Sequence, residues 1–192
     1  ATRRIAAAPW TERRAPATVD ASYSRGPTMT NAEQQLSGFF ALYEPTVARL
    51  GKALRKRLRA RLPGWSEIVY RYEKQGSLVI AYSATERGYE ALCSLVVHPD
   101  RVLLYFTNAP QLAEADPGGL LQGKGKSARY VVLHTAADLD RPAIEALMVA
   151  ALARTKLRPV AGAKGTVIVK ADEQRQRAAR TKPTARSKQP RR

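Results

Sequence analysis

Between Glu67 and Thr107 the chain alternates with a period of two, and this stretch limits the available folds more than any other. Four runs read as strands: Glu67–Tyr72, Leu78–Ser83, Ala91–His98 and Arg101–Thr107. Lys74-Gln75-Gly76-Ser77 makes the first connection a hairpin. His98-Pro99-Asp100-Arg101 makes the third a type I turn, with Pro99 at its favoured second position. Connections this short join antiparallel strands, so no parallel βαβ unit is expected here. In the last run Val102, Leu104 and Phe106 alternate with Leu103, Tyr105 and Thr107, and both faces are apolar. One face can take helices; the other needs a second cover, from more helix, a partner chain or a ligand. Tyr70, Tyr72, Tyr82 and Tyr105 are candidates to line it, set against the plainer reading of tyrosines packed in a core.

Helical patterns flank these strands. Thr30 or Asn31 caps a helix with Leu36, Phe39, Phe40 and Tyr43 on one side. Pro45 restarts the chain into a second helix, with Val47, Leu50, Leu54, Leu58 and Leu62 on its apolar face and Pro63-Gly64 as its stop. The opposite face holds Arg49, Lys52, Arg55, Lys56 and Arg59, and no acid lies between Val47 and Leu62. Without carboxylates at i,i+4 these charges repel one another. The bland reading is a solvated face, and the functional one is a surface for polyanions.

Asp116 to Leu152 forms a second block: a turn-rich basic loop, the strand-like Ala128–His134, and a helix. Asp140 is the expected N-cap, with Pro142 tolerated in the first turn. Ile144, Leu147, Met148, Ala151 and Leu152 fall on one helical face. Gly125-Lys126-Ser127 looks like the end of a phosphate-binding P-loop. That loop needs a glycine five residues before Gly125, where this chain has Leu120, and a helix where a strand follows. Lys124 and Lys126 remain as point charges for an anion. After Arg158, Thr166 to Val169 offers one more short strand.

The chain of 192 residues is 44% apolar, enough for one globular core, and the outlier is a net charge of +17 from 33 basic and 16 acidic residues. Such an excess favours polyanion partners and opposes self-association. One cysteine excludes an internal disulfide and any multi-cysteine zinc site, and Cys93, in an apolar run, reads as a buried inert thiol. No segment approaches the roughly eighteen apolar residues that span a bilayer, so a cytoplasmic protein without a membrane partner is expected. Residues 1–29 form a basic segment expected to be disordered, and Met29 is the favoured true start. The folded domain is expected over 30–159. The tail over 160–192 is basic and expected to be mostly disordered, a composition suited to lying along phosphate backbones.

Recognisable reaction chemistry does not emerge. The chain has no GxSxG elbow, HExxH pair, paired-glycine fingerprint or acidic metal cluster. His98 and His134 are the only histidines, and with Cys93 they make a metal set lacking any local spacing signature. Glu86-Arg87 reads as a local ion pair. No catalytic residue, metal ligand or cofactor is assigned.

Six segments together resemble the YdhG-like family of small bacterial domains of unknown function. They are Glu67-Ile68-Val69-Tyr70, Thr85-Glu86-Arg87, the hairpin ending in Leu103-Leu104-Tyr105-Phe106, Leu112 through Asp116-Pro117, Leu120-Leu121-Gln122-Gly123-Lys124-Gly125, and Asp138-Leu139-Asp140-Arg141-Pro142. The resemblance covers about Leu36 to Arg158. It implies an α+β domain, an antiparallel sheet of about five strands with flanking helices, and it implies no reaction. Distant members are described as frataxin-like iron chaperones that bind iron through acidic surfaces. Here the first helices are basic, and no iron residues carry over.

The leading expectation is a non-catalytic module that associates with nucleic acid or another polyanion through Arg49, Lys52, Arg55, Lys56, Arg59, Lys124 and Lys126. The alternatives are a small-ligand or metal-binding domain using Tyr70, Tyr72, Tyr105 and His134 on the sheet face, and an enzyme of uncatalogued type.

Overall fold

A computed structural model describes residues 30–107 and 109–170; the segment 1–29 and the tail from Asp172, both expected to be disordered, lie outside them. The described chain runs α1 (Asn31–Phe40), α2 (Pro45–Arg61), β1 (Ser66–Tyr72), β2 (Ser77–Ser83), β3 (Cys93–Val97), β4 (Val102–Phe106), β5 (Arg129–Leu133), α3 (Pro142–Arg154) and β6 (Val167–Val169). This is an α+β fold.

Local chemistry sets the boundaries. Thr30 Oγ1 accepts from the Glu33 N–H at 3.3 Å and starts α1. Pro45 occupies the first turn of α2, where an N–H has no partner anyway. Gly64, at φ +82°, turns the chain from α2 into β1. The β1–β2 hairpin closes through a short 3-10 turn, Glu73–Gln75, and a left-handed Gly76.

The start of α3 departs from expectation. Asp140 does not cap it; the N-cap is Arg141, which makes no side-chain cap. The box forms one turn earlier, between Thr135 and Asp138 around the 3-10 turn Ala136–Asp140. Burial pushes the Asp138 carboxyl up, but the N–H groups of Thr135 and His134 outweigh it and hold the group below its ordinary value. Asp140 is left free for another task.

The sheet has six strands in the order β5-β4-β3-β2-β1-β6. Four ladders are antiparallel, while β6 runs parallel to β1, pairing Glu67 with Val167 and Val69 with Val169. The expected five-stranded antiparallel sheet is therefore six-stranded and mixed, and it extends past residue 159, where the folded domain was expected to end. The long connection between β1 and β6 gives the crossover that a parallel pair needs and a tight hairpin cannot supply.

All three helices lie on one face. Leu36 and Phe40 of α1, Leu54 and Leu58 of α2, and Ile144 and Leu147 of α3 are buried in one cluster with the inward residues of the sheet, among them Val69, Ile80, Leu95 and Leu104. Cys93 belongs to this core, and burial pushes its thiol up to about 12, which removes thiolate chemistry at neutral pH. Tyr82 also points to the helix side and is fully buried, which is the plainer of its two expected readings, a tyrosine packed in the core.

Two glycines test this packing in opposite directions. A Cβ on Gly165 would run into the Trp65 carbonyl oxygen, so Gly165→Ala should lower stability by about 1–3 kcal/mol as β6 is forced away from β1. Gly38 lies within α1 with open space around it, so Gly38→Ala should raise stability by roughly 0.5–1 kcal/mol. Denaturant unfolding of both variants checks the pair of signs.

Candidate functional site

Two surfaces hold the residues that could bind something, and both begin at β1. Glu67 shares the helix-facing side of β1 with Val69 and is 1% exposed. A carboxylate there needs a counter-charge and hydrogen bonds. Arg55 of α2 supplies both. Its Nε lies 3.0 and 3.1 Å from the two Glu67 oxygens, and its Nη2 lies 2.6 Å from Oε2. The same Nη2 reaches Glu33 Oε1 of α1 at 2.8 Å, and Arg59 Nη1 reaches that oxygen at 2.7 Å. Burial opposes the Arg55 charge, but Glu67 and Glu33 more than compensate and raise its pKa. The Arg55 guanidinium in turn holds the Glu33 carboxyl below its ordinary value against partial burial, with Arg59 assisting.

Further along α2, Arg57 and Arg61 both bind Asp140, and Arg61 also donates to the Leu139 carbonyl. The expectation that these helix charges lack carboxylates is thus corrected for Arg55 and Arg59. Their partners come from α1 and β1, not from the same helix. Among the described residues, Arg49, Lys52, Lys56, Lys124 and Lys126 have no carboxylate partner. Lys52 stands 5.8 Å above the Phe40 ring. Lys52, Arg55, Lys56 and Arg59 converge with Glu33, Ser37 and Phe40 on a groove of about 460 Å³ between α1 and α2. Arg49, Lys124 and Lys126 are not among its walls.

The second surface is the other side of the sheet. No helix of the described residues covers it. Ile68, Ala81 and Ala91 form a small cluster there, with Tyr70 and Ile168 packed against it. The 3-10 turn Gly88–Glu90 closes over Tyr70, since a Cβ on Gly88 would lie 2.6 Å from its ring. Tyr70 therefore serves the fold. Beyond it an open groove of about 360 Å³ runs diagonally across the strands. Tyr72, Gln75, Ser77 and His98 line one end, Val79, Ser94 and Val96 the floor, and Tyr105, Thr107 and Ala128 the other end.

Of the residues expected on this face, Tyr72 and Tyr105 are brought together and His134 is not. His134 stands exposed after β5, its N–H donating to Asp138 at 2.7 Å, and His98 lines the groove instead. Burial and Arg101 lower the His98 pKa, with Asp100 opposing, so its ring is neutral at neutral pH and offers one donor and one acceptor. Cys93 faces the core, so the set of Cys93, His98 and His134 is not assembled. No group of three or more metal-ligating side chains occurs among the described residues. Arg87 pairs with Glu90 at 3.4 Å, not with Glu86. No helix of the described residues is long and apolar enough to cross a membrane.

The loop before β5 ties the two lysines to this face. Gly123, at φ +104°, lies against the Tyr130 ring, and Tyr130 packs on Tyr105 with ring centroids 5.1 Å apart. Gly125 sits against the Ala128 carbonyl and accepts from Arg129 through its own carbonyl. Lys124 and Lys126 thus belong to the loop that packs on the Tyr105 end through Gly123 and Gly125, and neither lines the groove. Lys74 precedes the lining residue Gln75 in the turn Glu73–Gln75 at the Tyr72 end, and the lining includes no carboxylate. The sequence missed Glu67 as the centre of the network. The available signal was its parity with Val69 in a strand whose inward face is apolar.

Removing the charge of Arg55 alone leaves Glu67 buried without its partner. Arg55→Met should cost about 3–5 kcal/mol, and the double variant Arg55→Met, Glu67→Leu should recover most of it, as read by a denaturant double-mutant cycle. Glu33 gives a pH signature. With a folded pKa below the ordinary 4.5, its contribution is complete above that value and is lost as pH falls through the lower folded one. Stability of the native protein should therefore drop more steeply below about pH 4.5 than that of Glu33→Gln, measured by denaturant titration at stepped pH.

No family model matches the chain, and neither the curated proteins nor the solved structures give a match, so its function has to be reasoned from the placement of its own residues.

Proposed function

We propose that this chain is a non-catalytic binding domain of the YdhG-like kind that associates with polyanions. The observation that carries this reading is the division of its cations. The arginines of α2 that face acids are consumed by them, whereas Arg49, Lys52, Lys56, Lys124 and Lys126 stand exposed without a carboxylate. Residues 30–170 carry 20 Lys and Arg against 12 Asp and Glu, an excess of 8, so internal pairing leaves a positive body. The rest of the +17 lies in the two terminal segments. Charges of one sign that find no partner inside attract phosphate or sulfate groups outside, with affinity set by released counterions.

The YdhG-like assignment is supported by the order of two helices, five antiparallel strands and a third helix over the segment that carries the resemblance. The basic groove between α1 and α2 supports a polyanion over the iron reading, since its cations repel a metal ion and its carboxylate Glu33 is already engaged.

The test leaves Arg55 and Arg59 alone, because they hold the fold. Binding to heparin, followed by fluorescence anisotropy, should weaken linearly in log salt. Lys52→Glu with Lys56→Glu should lower affinity by about tenfold or more and reduce the salt slope by roughly two. Affinity indifferent to both salt and these substitutions would overturn the reading.

A further inference from the structure

We infer that the open sheet face is a track for the unpaired bases of a single-stranded nucleic acid. This rests on the polyanion reading and names the polyanion. Three properties of the face point the same way. Aromatic side chains stand on it: Tyr72 at 38% exposure on one flank, and the half-buried Tyr105 and Tyr130, with ring centroids 5.1 Å apart and tilted by 42°, on the other. Aromatic rings standing on an antiparallel sheet stack bases of any sequence, because every base presents a π-face.

The floor between those rings is apolar apart from Ser94, and Gln75 and the neutral His98 stand beside Tyr72 at its end. These groups can hydrogen-bond base edges, which a purely aliphatic surface cannot do. The charge is placed at the ends. The exposed Lys74, with Glu73 beside it, lies in the turn at one end, the exposed Lys124 and Lys126 in the loop that meets the other, and no carboxylate lies among the lining residues. An open groove spread diagonally over several strands suits an extended chain better than one enclosed small molecule. From β1 to β5 it crosses four strand spacings, roughly 19 Å, enough for a short run of nucleotides.

Other occupants fit less well. A second copy of this chain would bring another +17 against the same face. A duplex hides its bases in the stack and would leave the tyrosines with nothing to contact. Lys52 and Lys56 lie on the helix side of the sheet and so stand outside this track.

The experiment compares three probes on the full chain by anisotropy: labelled oligothymidylate of about 12 nucleotides, the same strand in a duplex, and heparin. The single strand is expected to bind about tenfold or more tighter than the duplex. Tyr72→Ala with Tyr105→Ala should weaken oligothymidylate by about tenfold or more while leaving heparin affinity within about twofold, which also shows that the variant is folded. Tyr72→Phe with Tyr105→Phe, which keeps both rings, should bind as the native protein does. Equal affinity for single strand and duplex, or an alanine variant that holds oligothymidylate unchanged, overturns the track. If heparin is held while the single strand has no advantage, the polyanion reading survives and this one does not; if neither is held, both fall.

Discussion

A carboxylate on the buried face of a sheet must be answered by the layer packed on it, and Glu67 imposes that condition on everything around it. Desolvating such a charge without a partner costs several kcal/mol, a large part of the stability of a domain this size. Arg55 answers it with both Nε and Nη2, and the planar fork fixes the direction from which α2 approaches. Gly51, one turn earlier, fixes the distance. A Cβ there would come within 2.9 Å of Phe40 and 3.1 Å of Val97, so only glycine lets the helix sit this close. Charge sets the register of α2 along the sheet, and a missing side chain sets its depth.

The same helix then holds its neighbours by one device repeated. Arg55 and Arg59 share Glu33 and so bind α1, while Arg57 and Arg61 share Asp140 and bind the turn that leads into α3. Arginine suits this role and lysine does not. A guanidinium can serve two carboxylates at once with rigid geometry, whereas an ammonium on a flexible stem loses more entropy for each bond it forms. The lysines of α2 accordingly remain outside the network, one of them over the Phe40 ring. A single basic stripe thus contains a structural half, all arginine, and an available half made of Arg49 and the two lysines.

The period-two runs and the three helices were legible because periodicity reports local geometry, and the strands came within a residue or two at most ends. What could not be read was the identity of partners distant in sequence. Arg55 lies twelve residues from Glu67 and Arg61 seventy-nine from Asp140, and no pattern along α2 announces either acid. Asp140 looks like an N-cap from its neighbours alone; it is drawn away because two arginines outbid a helix end for one carboxylate. β6 was visible only as a possible strand, since its parallel pairing depends on where α3 delivers the chain. Half of the sheet-face site was legible in Tyr72 and Tyr105. His98 replaced His134 because the diagonal groove meets β5 at its Ala128 end, whereas His134 follows Leu133 at the opposite end of that strand.

The open face raises a question that composition alone answers wrongly. Apolar residues on both sides of a sheet call for a permanent cover, yet no helix of the described residues provides one. Val96 and Leu103 are nonetheless 7% and 2% exposed, although they sit in the middle of that face. In the ladder they pair with each other, and Tyr105 stands two residues from Leu103 on the same side. What remains in contact with water includes Tyr72, Tyr105 and Tyr130, whose rings tolerate solvent because their hydroxyls can stay hydrated, and polar groups such as Gln75, Ser94 and His98. A face whose aliphatic atoms are already shielded laterally does not require a fixed lid to be soluble. It gains when a flat, weakly hydrated group replaces water over its rings, and it survives when that group leaves. That is the condition a reversible binding surface has to meet, and a core facing a missing layer would not meet it.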